Sequence, residues 1–135
     1  MRPHEFTVEE ANALLPRLRE ILPVLREAAH QSRFLAEQLA DLRRMTGAAV
    51  DDPASEAHKE AQRLVDASEE QAIRVRAAAA ELQALGVEIK DPVLGLVDFY
   101  GRREGELVYL CWREDEARVE HWHPLVGGFT ARKRL

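Results

Sequence analysis

A chain of 135 residues has the size of one domain, and its 19 basic against 24 acidic side chains leave a formal charge of -5, which disfavours nucleic acid as a partner because clustered Lys and Arg supply that affinity. A single cysteine excludes an internal disulfide and fits a reducing cytoplasm. No run approaches the roughly 18 apolar residues of a membrane span, and the opening Met-Arg-Pro-His-Glu-Phe lacks the apolar core of a secretion signal, so the chain reads as one soluble cytoplasmic domain over residues 1–135 with no membrane partner.

The first predicted element opens at Thr7, where Thr7-Val8-Glu9-Glu10 spells a capping box. Leu18, Leu22, Leu25, Ala29, Ser32, Ala36 and Leu39 then recur in threes and fours, predicting a helix over 8–46 with a coiled-coil-like seam. Pro16 and Pro23 each remove an amide donor on the face away from that seam, which predicts a bend there and no break. Gly, Pro, Asp and Ser cluster in a turn over 47–54. Ala61, Leu64, Ser68, Gln71, Val75, Ala78, Leu82 and Leu85 mark a second helix over 55–85, stopped by Gly86 and Pro92. Folded about Val50, the two form a long antiparallel helical hairpin that sets Leu18 near Leu82 and Ser32 near Ser68.

Forty helical residues extend roughly 60 Å, and a two-helix hairpin cannot cover its own apolar edges. Leu35, Leu39, Leu42, Met45 and the alanines from Ala77 to Ala80 therefore predict a homodimer or higher oligomer through the helices.

The remainder predicts a small three-stranded antiparallel β-meander over 95–123, with runs at Leu96 to Tyr100, Leu107 to Arg113 and Arg118 to His123, and a tail over 124–135; the fold class is α+β. The middle run is apolar on both faces, with Val108, Leu110 and Trp112 on one and Leu107, Tyr109 and Cys111 on the other. Symmetric closure of the hairpins sets Asp98, Val108 and His123 in one row.

The segments Phe6-Thr7-Val8-Glu9-Glu10-Ala11-Asn12-Ala13-Leu14-Leu15-Pro16, Gly95-Leu96-Val97-Asp98-Phe99, Leu110-Cys111-Trp112-Arg113, Trp122-His123 and Gly128-Phe129 resemble the signatures of the bacterial family known as domain of unknown function 2203, over the whole chain. The resemblance implies a helical hairpin plus sheet and no established activity. One departure is Tyr100, where the family pattern has proline after the Asp-Phe pair, and it bears on the first hairpin turn.

Asp98, His121 and His123 form the candidate metal or ligand site, since histidines two apart on a strand point to one side and neutral imidazoles so placed converge on a divalent metal such as Zn, Ni or Fe. Further donors are His4, Glu5 or Glu120, or groups of a second subunit, and the sequence does not select among them; Arg132 is a candidate anion contact. Cys111, between Leu110 and Trp112, reads as a small buried hydrophobe, and Trp112 and Trp122 as core. Gly127 and Gly128 read as a turn presenting Phe129 and Arg132. The leading functional expectation is an oligomeric helical-hairpin interaction module whose β-sheet presents a ligand or docks a protein partner. The alternative is a metal-binding protein or small metal-dependent hydrolase built on Asp98, His121 and His123.

Overall fold

In the computed structural model, which describes residues 4–135, the capping box forms as its residue types dictate. The Thr7 amide donates to Glu10 Oε1 at 3.0 Å and the Glu10 amide to Thr7 Oγ1 at 3.1 Å. Helix α1 follows as Val8–Thr46, and neither proline interrupts it. Pro16 and Pro23 are both exposed, so the lost amide bonds fall on the solvent side. A 3-10 turn, Gly47–Asp51, leads to helix α2, Glu56–Leu85. Ser55 caps α2 by accepting from the His58 amide at 3.1 Å, and the His58 ring meets the Val50 carbonyl at 2.9 Å, which ties the turn to the helix it starts.

Strands β1, Glu88–Asp91; β2, Leu96–Arg103; β3, Glu106–Arg113; β4, His121–His123; and β5, Lys133–Arg134, form one antiparallel sheet in chain order. The predicted meander is thus the centre of a five-stranded sheet. The Val87-Glu88-Ile89-Lys90 alternation, too short to stand out in sequence, adds one edge, and the tail adds the other.

The first hairpin closes differently from the symmetric expectation. β2 continues through Tyr100 to Arg103, and only Glu104 and Gly105, both at positive φ, make the turn. Asp98 therefore pairs with Cys111, which pairs with His121, and His123 pairs with Tyr109. The row Asp98, Val108, His123 does not exist, because Val108 faces the opposite side of the sheet: the tight turn moves the register by an odd number of residues, which exchanges faces. Gly101 sits inside the strand because the N-terminal segment crosses it. The Phe6 amide donates to the Tyr100 carbonyl at 2.6 Å, and a Cβ on Gly101 would lie 3.0 Å from the Phe6 oxygen.

The chain forms two compact units. One gathers the described residues up to Pro23 with Ala78–Leu135, and the other is Val24–Ala77. In the first, Val97, Phe99, Val108, Leu110 and Trp112 share one sheet face and are buried with Phe6, Leu18, Leu22 and Leu82. Phe6 meets Phe99 edge-on at 5.3 Å, and Arg19 lies 5.3 Å over Trp112. Arg17 and Glu81, neighbours of Leu18 and Leu82, form an ion pair, in keeping with the leucine register expected from the seam. Asn12 Oδ1 accepts the Val119 amide at 2.7 Å and so ties the loop before β4 to α1.

In the Val24–Ala77 unit the helices bury Ala28, Ala61 and Leu64, while Phe34, Met45 and Ile73 are exposed. No helix among the described residues is long and apolar enough to cross a membrane.

Candidate functional site

The sheet face opposite the helices carries the polar residues. Alternation along β2 sends Val97 and Phe99 into the helix-side core and leaves Leu96, Asp98 and Tyr100 on the other face, shared with Tyr109 and Cys111 of β3 and His121 and His123 of β4. Asp98 and His123 are each only 2 % exposed and are the buried polar side chains of ionisable type among the described residues. Burying such groups is costly unless each finds partners.

They find each other. His123 Nε2 lies 2.9 Å from Asp98 Oδ2, and His123 Nδ1 lies 2.7 Å from the carbonyl oxygen of Pro124. A carbonyl only accepts, so Nδ1 carries a proton and donates it, which turns Nε2 toward Asp98. The Nε2 to Oδ2 bond then holds one shared proton, and the pair is neutral overall. Cys111 completes the group, its thiol facing Asp98 across the strand pair. Donor atoms of Asp98, Cys111 and His123 all lie within 4.8 Å of one another.

The electrostatics follow from burial. Desolvation pushes the Asp98 carboxyl up, opposed by the attraction and hydrogen bond of His123, the neighbouring Cys111 thiol and the charge of Lys90. Burial, and then the negative charge of Asp98, pushes the Cys111 thiol up to about 12. A thiol so held is no nucleophile at neutral pH. The ring nitrogen nearest a carboxylate also serves Asp98 and not the sulfur, so the arrangement is not that of a cysteine–histidine catalytic pair.

A cavity of about 160 Å³ opens beside the trio, lined also by Lys90, Leu96, Tyr109, Leu125, Gly128 and Phe129. The tail closes it: after Pro124 the chain turns through Gly127 and Gly128, both at positive φ, and returns along β4 as β5. Arg132 pins the return by donating to Glu116 Oε1 at 2.7 Å and Oε2 at 3.0 Å, with its guanidinium 4.7 Å over the Phe129 ring. Lys90 lies 4.7 Å over the Tyr109 ring and 3.6 Å from Glu88 Oε2. The Tyr109 hydroxyl donates to that of Tyr100 at 3.0 Å, and burial, followed by the neighbouring Glu88 carboxylate and Tyr100, pushes its phenol up.

Of the residues singled out from sequence, Asp98 and His123 meet. His121 shares their face but is engaged elsewhere: its Nδ1 lies 3.3 Å from Glu116 Oε2, close enough for charge attraction yet without hydrogen-bond geometry. Arg132 is committed to Glu116 and is not among the residues lining the cavity. His4 packs edge-on against Phe6 at 4.4 Å, Glu5 pairs with Arg102 and Glu120 with Arg134, so these donors also serve other contacts. Trp112 is core as expected, whereas Trp122 is half-buried between Arg103 and Lys133. Cys111, read from sequence as a small hydrophobe, is buried but sits with its sulfur beside Asp98 and His123. The available signal was its β3 face, shared with Tyr109, once the turn at Glu104 and Gly105 fixed which β2 face it opposes. Lys90 carried no sequence signal beyond its place in a short alternating run.

Fold and cavity together define a small α+β protein in which a helical hairpin precedes a five-stranded antiparallel sheet with a buried acid–thiol–imidazole group. The profile of the family described as "Uncharacterized conserved protein (DUF2203)" matches residues 4–135, and the chain belongs to that family. No curated protein and no solved structure matches it significantly. Each closing segment of the family resemblance contributes to the cavity: Leu96 and Asp98, Cys111, His123, and Gly128 with Phe129.

Proposed function

We propose that the chain is a metal-binding protein in which the Asp98 carboxylate, the Cys111 thiolate and His123 Nε2 hold one divalent transition metal, with an open position toward the cavity. The observation that carries this reading is the anchoring of His123 Nδ1 on the Pro124 carbonyl, which turns Nε2 toward Asp98 within a buried trio. A backbone acceptor on the distal nitrogen is the usual support of a metal-bound imidazole. One sulfur, one nitrogen and one oxygen donor suit zinc first, with iron and nickel behind it. Three protein ligands with a free fourth position suit Lewis-acid or hydrolytic chemistry. Cys111 replaces His121 in the ligand set expected from sequence, and a reducing cytoplasm would keep its thiol available.

Metal analysis after loading with zinc, nickel or iron tests this. About one ion per chain is expected, lost in Asp98→Asn, Cys111→Ser and His123→Ala and kept in His121→Ala. Retention by the three variants, or no uptake by the wild type, ends the reading.

A second reading concerns the helices. In the Val24–Ala77 unit a groove of about 210 Å³ is lined by Leu35, Ala36, Leu39, Val65, Ser68, Glu69 and Ala72, and Phe34, Met45 and Ile73 stand exposed. These faces support self-association, or a protein partner, through the hairpin. Such an assembly would present the ligand site on each chain, and its solution mass is the test.

A further inference from the structure

We propose that the cavity beside Asp98, Cys111 and His123 binds a small organic monoanion, a carboxylate on a compact apolar body of about six to nine non-hydrogen atoms, with Lys90 receiving the carboxylate. This deepens the metal-centre reading and rests on it for the choice of the cavity as the functional site.

Size, lining and charge carry the inference. A volume of about 160 Å³ is close to that of the engineered apolar cavity of about 150 Å³ that takes benzene, so the occupant is a single ring or a branched chain of four or five carbons. Leu96, Leu125 and Phe129 give it apolar walls. Among the lining residues Lys90 carries the permanent positive charge, and its ammonium is held on the Tyr109 ring at 4.7 Å with its nearest carboxylate, Glu88, at 3.6 Å. That separation is longer than a charge-assisted hydrogen bond, so the ammonium keeps donors for a ligand.

In the zinc-free chain the deeper groups do not compete for the anion. The His123–Asp98 pair is neutral overall and its ring protons are committed to Asp98 and Pro124. A divalent ion on the trio would replace two protons and offer its open position as a second acceptor of the carboxylate, so the Lys90 comparison is read on the zinc-free chain. A phosphate dianion fits poorly, since one lysine in an apolar pocket cannot replace its hydration.

Calorimetric titration of the full chain, zinc-loaded and zinc-free, with benzoate, isovalerate and the uncharged benzamide tests the proposal. Benzoate and isovalerate are expected to bind both forms. Lys90→Met should weaken each at least tenfold while leaving benzamide unchanged, and Leu125→Trp should block all three. Equal benzoate affinity in Lys90→Met, or benzamide binding the wild type as tightly as benzoate, overturns it. So does the absence of binding to either form of the wild type. Carboxylate binding in a chain that takes up no metal would sustain the ligand site and defeat the metal reading alone.

Discussion

Cys111 illustrates how much a single side chain's meaning depends on its neighbours. Beside Leu110 and Trp112 in sequence it is a small hydrophobe, yet across the strand it faces Asp98 and its thiol is held protonated up to about 12. Because its folded pKa is raised above the ordinary value of 9.0, the folded chain keeps a proton that the unfolded chain loses, and this contribution to stability is lost as pH rises from about 9 to about 12. Urea denaturation of the metal-free protein at pH 8, 9.5 and 11 (test conditions of about these values) should show a steeper alkaline loss in the wild type than in Cys111→Ala; parallel curves would contradict the buried thiol. The same protons bear on metal uptake. One lies between His123 and Asp98 and one on the thiol, so binding of a divalent ion should release about two, read from calorimetry in buffers of different ionisation enthalpy. Release of none would mean that the ion sits elsewhere.

At the scale of elements, the sheet is aimed by its turns. Glu104 and Gly105 set the register that brings Asp98 opposite Cys111, and the crossing of Phe6 over Gly101 fixes the segment before α1 on β2. Gly101→Ala would place a methyl 3.0 Å from the Phe6 oxygen and 3.1 Å from Leu110 Cγ, with no flexible side-chain end to yield at the backbone atom. A loss of roughly 1–3 kcal/mol is expected in chemical denaturation, and a loss below a few tenths would show that the N-terminal segment is not held there. The helices were legible because their periodicity is long and their caps are explicit: α1 begins and ends where the pattern places it, and α2 differs by one residue at its start. The edge strands were not, since β1 has four residues and β5 two, too few for alternation to speak.

For the whole molecule, the apolar residues left exposed on the Val24–Ala77 unit set the expectation of self-association. Light scattering of the wild type should give a multiple of the chain mass, and Phe34→Glu with Ile73→Glu should reduce it toward one chain with the metal content unchanged. A wild type that stays at one chain mass at high concentration would leave the helical faces without a partner copy. The site belongs to the other unit, so its chemistry and the assembly state are separable by mutation.

Sequence by itself determined the local features of this protein: the capping box at Thr7, two long helices, a meander with a doubly apolar centre, and Asp98 and His123 as candidates. Each follows from interactions within a few residues or from a period that repeats many times. The partner of Asp98 and His123 was decided only in the tertiary structure. A strand's faces exchange with a one-residue slip, so the turn that closes β2 on β3 selects Cys111 and not Val108 as the neighbour of Asp98. The tail that returns over His123 converts an open sheet face into a cavity. Neither event leaves a periodic trace, because both depend on residues distant in the chain meeting in one register.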